Sequence, residues 1–243
     1  MKDNKASAYK KKLNKDSGIS IGKALVYGDF LTKLSFFLLG ASNFFRGQII
    51  KGLLFLLAEV SYIFYMVNAG ISSLGGLGTL GTKQQGMVMD EELGIFVVQQ
   101  GDNSMLILLA GVVAIAVTAL FIVIWKANIN AAYRSQMIKK QGKKLPTFAM
   151  DVATYFDGKL YRTLMTPPLI GIMLFTVLPL FFMILIACTN FDNAHQPPGN
   201  LFTWVGLDNF KTMLFSGEKI ARTFWPVLGW TLIWAVLATF LNY

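Results

Sequence analysis

Two stretches of 21 residues, 105–125 and 169–189, contain no Asp, Glu, Lys or Arg. A hydrocarbon core about 30 Å thick is crossed by a helix of about 20 apolar residues. Each stretch is therefore read as a membrane span. Residues 52–71, 20 positions with the single acid Glu59, extend the pattern, as do residues 224–241, 18 positions without a charge. A fifth run, residues 34–45, has 12 uncharged positions between Lys33 and Arg46. It is too short to cross. Its aromatic content between cations suits an amphipathic helix lying at the membrane interface. The expected fold class is an all-α integral membrane protein of about four transmembrane helices, preceded by an N-terminal interfacial amphipathic helix.

Composition agrees. Only 14% of the 243 residues are charged and 54% are hydrophobic, against about 25% charged in a soluble domain. Mean hydropathy is +0.53. These figures exclude a disordered chain. Cys188 is the single cysteine, which excludes a disulfide scaffold within the chain. A secretory signal peptide fits poorly, because the apolar stretch begins late and no small-residue cleavage pattern follows it.

Charge gives an orientation. Residues 1–51 hold ten Lys/Arg, residues 72–104 hold one, residues 126–168 hold eight and residues 190–223 hold three. Cationic loops stay in the cytoplasm, so this alternation places the N-terminus there. The chain divides into a basic cytoplasmic segment with its interfacial helix (1–51), two leading spans with an outer loop (52–125), a basic cytoplasmic loop (126–168) and two further spans (169–243). The net charge of +9 is then an orientation signal, reinforced by attraction to anionic lipid headgroups. Nucleic acid is not expected as a partner, since no aromatic-interleaved basic patch or zinc spacing accompanies Lys10-Lys11-Lys12.

A search for chemistry returns little. The glycine-rich stretch before Thr82-Lys83 has the wrong order for a phosphate loop, which needs Lys before Ser/Thr. It reads as a flexible exit from the first span. One histidine, His195, makes neither a metal site nor a catalytic dyad, and Cys188 reads as a packing residue. No catalytic residue, cofactor site or metal site is expected. Glu59 is a functional candidate because an intramembrane acid is costly, although a structural acid, protonated or hydrogen-bonded to a neighbouring helix, or one sitting shallow near Lys51, is the favoured reading. Pro179 interrupts the backbone ladder of the third span, as in moving or pore-lining helices. Ala110, Ala114 and Thr118 recur at four-residue spacing, with Gly111 and Ala119 beside them, and form a face for close helix packing.

The second half carries a resemblance. Tyr155-Phe156-Asp157-Gly158-Lys159-Leu160-Tyr161-Arg162 and Thr166-Pro167-Pro168-Leu169 lead into the third span. Thr189-Asn190-Phe191-Asp192, His195-Gln196-Pro197-Pro198-Gly199-Asn200-Leu201-Phe202 and Trp204-Val205-Gly206-Leu207-Asp208-Asn209-Phe210 follow it. This order resembles the permease subunits of bacterial ABC sugar importers, most nearly the maltose/maltodextrin type. The resemblance implies a partial type I importer permease fold in the bacterial plasma membrane. It also implies partners: a second permease subunit, an ATPase subunit dimer and an extracellular sugar-binding protein. Hydrolysis of ATP would belong to the ATPase subunits, and transport would follow alternating access. In the outer loop 190–223, Trp204 and Phe210 are the candidate contacts for the binding protein, and Trp204 reads equally as a membrane-interface anchor. The family's Glu-Ala-Ala docking motif has no match, so the chain reads as the N-terminal portion of a longer permease. A non-transporting membrane scaffold is the alternative function.

Overall fold

The computed structural model describes residues 21–90, 94–158, 160–217 and 219–242. The N-terminal cations Lys2 to Lys15, and Lys159, which entered the charge count, lie outside the described residues. Among those described, four helices are long and apolar enough to cross a membrane: Ile49–Gly76, Ser104–Lys140, Thr163–Ala187 and Lys219–Leu241. Each contains one of the four apolar runs. The architecture is that of an all-α integral membrane protein.

The chain forms two compact units, Met1–Ile71 with Val113–Ile172, and Ser72–Val112 with Met173–Tyr243. In the first unit three short helices, α1 (Ile21–Tyr27), α2 (Phe30–Leu34) and α3 (Ala41–Phe45), precede the first span. The span itself, α4, is Ile49–Gly76 and passes through a π-helical turn at Met66–Gly70. The second span belongs to α5 (Ser104–Lys140), 37 residues long. Its C-terminal part lies in this unit, with α6 (Phe148–Asp157) and α7 (Leu160–Ile172) after it. Tyr62 of α4 stacks on Phe121 of α5, ring centroids 3.9 Å apart. Its hydroxyl lies 3.3 Å from Thr118 Oγ1. Ala24 of α1 packs on Ile129 and Tyr133 of α5.

Residues 34–45 do not form the single interfacial helix that their apolar content suggests. They span the end of α2, a turn, and α3. The break falls at Gly40, whose φ is +81°, a conformation glycine adopts without steric cost. The Gly52 carbonyl occupies the space where a Cβ on Gly40 would lie. The expected basic loop 126–168 is also largely helical. Lys126 to Lys140 continues α5 past its apolar run, and Thr147 caps α6 by accepting the Met150 N–H.

The second unit holds the end of α4, a two-stranded antiparallel hairpin, the start of α5, the third span from Met173 onward and the fourth span. The hairpin pairs β1 (Gly86–Asp90) with β2 (Ile95–Gln99) and was not anticipated. The third span runs from α7 through a π-helical turn at Met173–Val177 into α8 (Leu178–Ala187). Pro179 sits at the start of α8. A proline offers no N–H and its ring crowds the preceding turn, and the wider turn just before it accommodates both. Helix α9 (Asp208–Phe215) and the fourth span, α10 (Lys219–Leu241), complete the unit.

Candidate functional site

Two places in the chain combine buried or clustered polar groups with a chain reversal. The first is residues 29–48. Asp29 caps α2 by accepting the Thr32 N–H at 2.9 Å. Both Asp29 carboxylate oxygens also accept from Arg46 Nη2, each at 2.6 Å. Arg46 is only 6% exposed. Its Nη1 donates to the Ala132 carbonyl at 2.6 Å and to Ser135 Oγ at 2.7 Å. Gln136 accepts from Thr32 Oγ1 and from the Asp29 N–H, and donates to the Tyr27 carbonyl. A buried guanidinium needs this density of partners, because an unpaired buried charge is very costly. Burial would raise the Asp29 pKa, but the Thr32 N–H and the Arg46 guanidinium outweigh it and hold the carboxyl below its usual value of 3.8.

Glu59 belongs to the same region. It is 8% exposed, and its Oε2 accepts the Leu39 N–H at 2.9 Å. The acid thus meets a backbone group of the turn before α3. Asn128 of α5 accepts the Gly40 N–H and donates to the Ser35 carbonyl. Lys51 at the base of α4 pairs with Asp151 of α6 at 2.8 Å. Sequence reasoning missed Asp29, Arg46, Asn128 and Gln136. The available signal was polar residues scattered through or just beyond apolar runs. The small residues of α5 lie as follows. Ala114 is buried, Thr118 Oγ1 donates to the Ala114 carbonyl, and Ala110 is half-buried. Gly111 packs against Leu77 so closely that a Cβ would overlap its side chain.

The second place is the outer loop. Thr189 and Trp204 form a β-bridge. Asn190 Oδ1 accepts the Thr203 N–H at 2.6 Å. Asn209 Nδ2 donates to the carbonyls of Ala187 and Thr189, at 2.9 and 2.7 Å. The last carbonyls of a helix have no partner within it, so Asn209 closes the end of α8 from across the loop. Phe202 is fully buried against Leu80 and Leu108, and its N–H donates to Ser104 Oγ. The asparagines of the Thr-Asn and Val-Gly-Leu-Asp-Asn strings therefore staple the loop shut.

Trp204 is half-buried on this cluster, and its indole N–H donates to the Leu77 carbonyl at 2.6 Å. Phe210 is half-buried on α9. His195 is exposed and lies 2.8 Å from Asp192 Oδ1. The His195 side chain, with the His195 and Ala194 N–H groups, holds the Asp192 carboxyl below its usual range. Cys188 is half-buried, and its carbonyl accepts from the Val205 and Gly206 N–H groups. Among the described residues no three His, Cys, Asp or Glu side chains group as a metal site.

No family model matches the chain, and no solved structure matches it significantly. Curated relatives do. The chain is 32% identical over 204 residues to the maltodextrin transport system permease protein MdxF of Bacillus subtilis, covering 84% of this chain and 43% of that protein. It is 29% identical over 206 residues to the galactooligosaccharides transport system permease protein GanP of the same organism, covering 84% and 45%. To the maltodextrin transport system permease protein MalC of Streptococcus pneumoniae it is 28% identical over 205 residues, covering 84% and 43%. The chain spans less than half the length of these relatives. Over most of its own length it is nonetheless a homologue of oligosaccharide transport system permease proteins, and a multi-pass membrane protein.

Proposed function

We propose that this chain forms part of the permease subunit of an ATP-driven, binding-protein-dependent sugar importer of the bacterial plasma membrane, with maltodextrins as the favoured substrate class. The observation that carries the reading is the match of 84% of the chain to two maltodextrin permeases and one galactooligosaccharide permease. The chain itself would catalyse nothing and bind no cofactor. A separate ATPase dimer would hydrolyse ATP, and a second permease subunit would complete the pathway. Alternating access would follow from the different affinities of ATP and of the loaded binding protein for two pore states. The charge alternation supports a cytoplasmic N-terminus, which puts loop 190–223 outside, where it would meet the binding protein.

Trp204 and Phe210 remain the candidate contacts there. Both are only half-buried, so each retains surface for a partner. Trp204 also ties the loop to Leu77, and a Trp204→Ala change would affect loop closure as well as docking. Pro179 and the π turn before it supply a place where the third span can bend.

The test is uptake of labelled maltodextrins and galactooligosaccharides by cells with and without the gene. Loss of uptake of one class on deletion, restored by the gene, supports the proposal and names the sugar. Unchanged uptake of the whole panel, with the protein still co-purifying with membrane partners, would favour a scaffold instead.

A further inference from the structure

The polar cluster around residues 29–48 carries an inference about where this segment lies. Two cations bracket one edge of the membrane on the two leading spans, about 9 Å apart in height because Tyr62 stacks on Phe121. Lys51 stands immediately before the apolar run of α4, and Lys126 immediately after that of α5. The ends of the segment bond well beyond that edge. Asp29 and Thr32 meet Gln136, and Arg46 meets Ala132 and Ser135. Gln136 is ten residues past Lys126, about 15 Å along a helix. The turn of the segment bonds at the edge, where Gly40 and Ser35 meet Asn128 two residues past Lys126, and just inside it. The Phe36 carbonyl accepts from the Trp125 indole N–H at 3.0 Å, and the Leu39 N–H reaches Glu59. Glu59 is eight residues past Lys51, about 12 Å along α4.

A chain that turns inside a membrane must satisfy its backbone without water. This turn does so. Every backbone N–H from Ser35 to Ser42 has a partner: carbonyls of the turn itself, Glu59 Oε2, Asn128 Oδ1 or Ser35 Oγ. A turn lying in water would need none of these side chains. Two of its apolar side chains point the other way. Phe37 is 86% exposed and Leu38 is exposed. They continue the exposed apolar surface of α4, where Leu53, Leu54 and Leu57 are also uncovered.

We propose that residues 29–48 form a hairpin that dips into one leaflet and returns to the side it came from, with Phe37 and Leu38 seated among lipid acyl chains. The occupant of the exposed tip is lipid hydrocarbon. Glu59 and Trp125 hold the tip just inside that edge, Asn128 ties Gly40 to α5 two residues beyond Lys126, and the Asp29–Arg46 pair closes the base.

The test uses single cysteines in the full chain with Cys188→Ser as background. Lys23→Cys and Gln141→Cys mark the side of the hairpin's base, and His195→Cys marks the opposite side. Phe37→Cys probes the tip at an exposed position whose substitution leaves the hydrogen bonds intact. The expected result is that a membrane-impermeant maleimide labels Lys23→Cys and Gln141→Cys from one side and His195→Cys from the other. Phe37→Cys is expected to react at least tenfold more slowly than Lys23→Cys from either side. A spin label at that position, in liposomes of phosphatidylethanolamine and phosphatidylglycerol, is expected to collide more with oxygen than with a water-soluble nickel chelate. Labelling of Phe37→Cys as fast as Lys23→Cys would overturn the proposal, because the segment would lie in water. Labelling from the His195 side would overturn it by making the segment cross. Greater access of nickel than of oxygen would also overturn it, by placing the tip in an aqueous crevice.

Discussion

The chain reverses direction at residues 29–48 and again at residues 189–210, and it closes the two reversals by different means. The first relies on buried groups brought from far along the sequence. Arg46 reaches Ser135, Gly40 reaches Asn128 and Asp29 reaches Gln136. The outer loop relies mainly on amides close in sequence, the half-buried Asn190 and the exposed Asn209, which meet the Thr203 N–H and the Ala187 carbonyl. Phe202 and Trp204 add one apolar anchor. Water substitutes for a lost partner at the surface but not in the interior. A turn whose backbone water cannot reach therefore needs a protein partner for each of its N–H groups, while one nearer water needs only enough to choose a conformation.

That contrast can be broken in order of size. Arg46→Leu is expected to have the largest effect, about 2–4 kcal/mol, because it removes the bonds of a buried guanidinium to Asp29, Thr32, Ser135 and the Ala132 carbonyl, although the half-exposed Asp29 can be rehydrated. Denaturant unfolding in detergent micelles measures it, and a loss below about 1 kcal/mol would show that the network does not bear on stability. Glu59→Leu should cost about 1–3 kcal/mol by leaving the Leu39 N–H unsatisfied. Glu59→Gln, which keeps an acceptor, should recover most of that loss, and equal losses for the two variants would assign the effect to packing instead. Asn209→Ala in the outer loop should cost only about 1 kcal/mol, although it removes two hydrogen bonds, since water replaces them. If it costs as much as Arg46→Leu, the two reversals are not of different kinds.

Acid should test the same region. The folded pKa of Asp29 lies below its usual value of 3.8. The carboxyl therefore contributes stability that is fully present above its unfolded pKa and is lost as pH falls through the lower folded one. Thermal stability of the wild type should fall more steeply below pH 4 than that of Asp29→Asn, which starts lower and lacks this group's titration. Parallel curves would mean that Asp29 contributes no such dependence.

The smallest effect is expected at Asn43. Its side-chain amide is buried, and neither polar atom has a partner among the described residues. An unsatisfied buried amide is a cost to the folded state, so Asn43→Leu should be neutral or stabilising by up to about 1 kcal/mol. A clear loss of stability would show that the amide has a partner after all.

The spans were legible because 20 apolar residues in a row admit few alternatives. Glu59 was legible as an anomaly, and its role needed the turn that it meets. The hairpin was not legible as a hairpin. Its apolar run between Lys33 and Arg46 has no proline, and Gly40 gives no sign in one sequence that it must adopt a positive φ. Asn128 and Gln136 were hidden because they follow the apolar run of α5 and resemble solvated helix surface. Asn190 and Asn209 stood in the strings that carried the family resemblance, but their staple is a matter of distance across a loop. The β1–β2 hairpin was missed because its short strands, Gly86–Asp90 and Ile95–Gln99, alternate too weakly to mark a buried face.

The length of α5 has a consequence for the lipid around it. Its 37 residues make a rod of about 55 Å, far longer than a hydrocarbon core of about 30 Å. Its uncharged run, residues 105–125, is what must match the bilayer, and an isolated helix would match that run by tilting or would slide its polar extension relative to its neighbours. Here the bonds from residues 27–46 to positions 125–136, together with the Tyr62–Phe121 stack, fix its height against α4. Sliding is thereby blocked. A change in bilayer thickness is left to be absorbed by a shared tilt of the two leading helices or by deformation of the lipid itself.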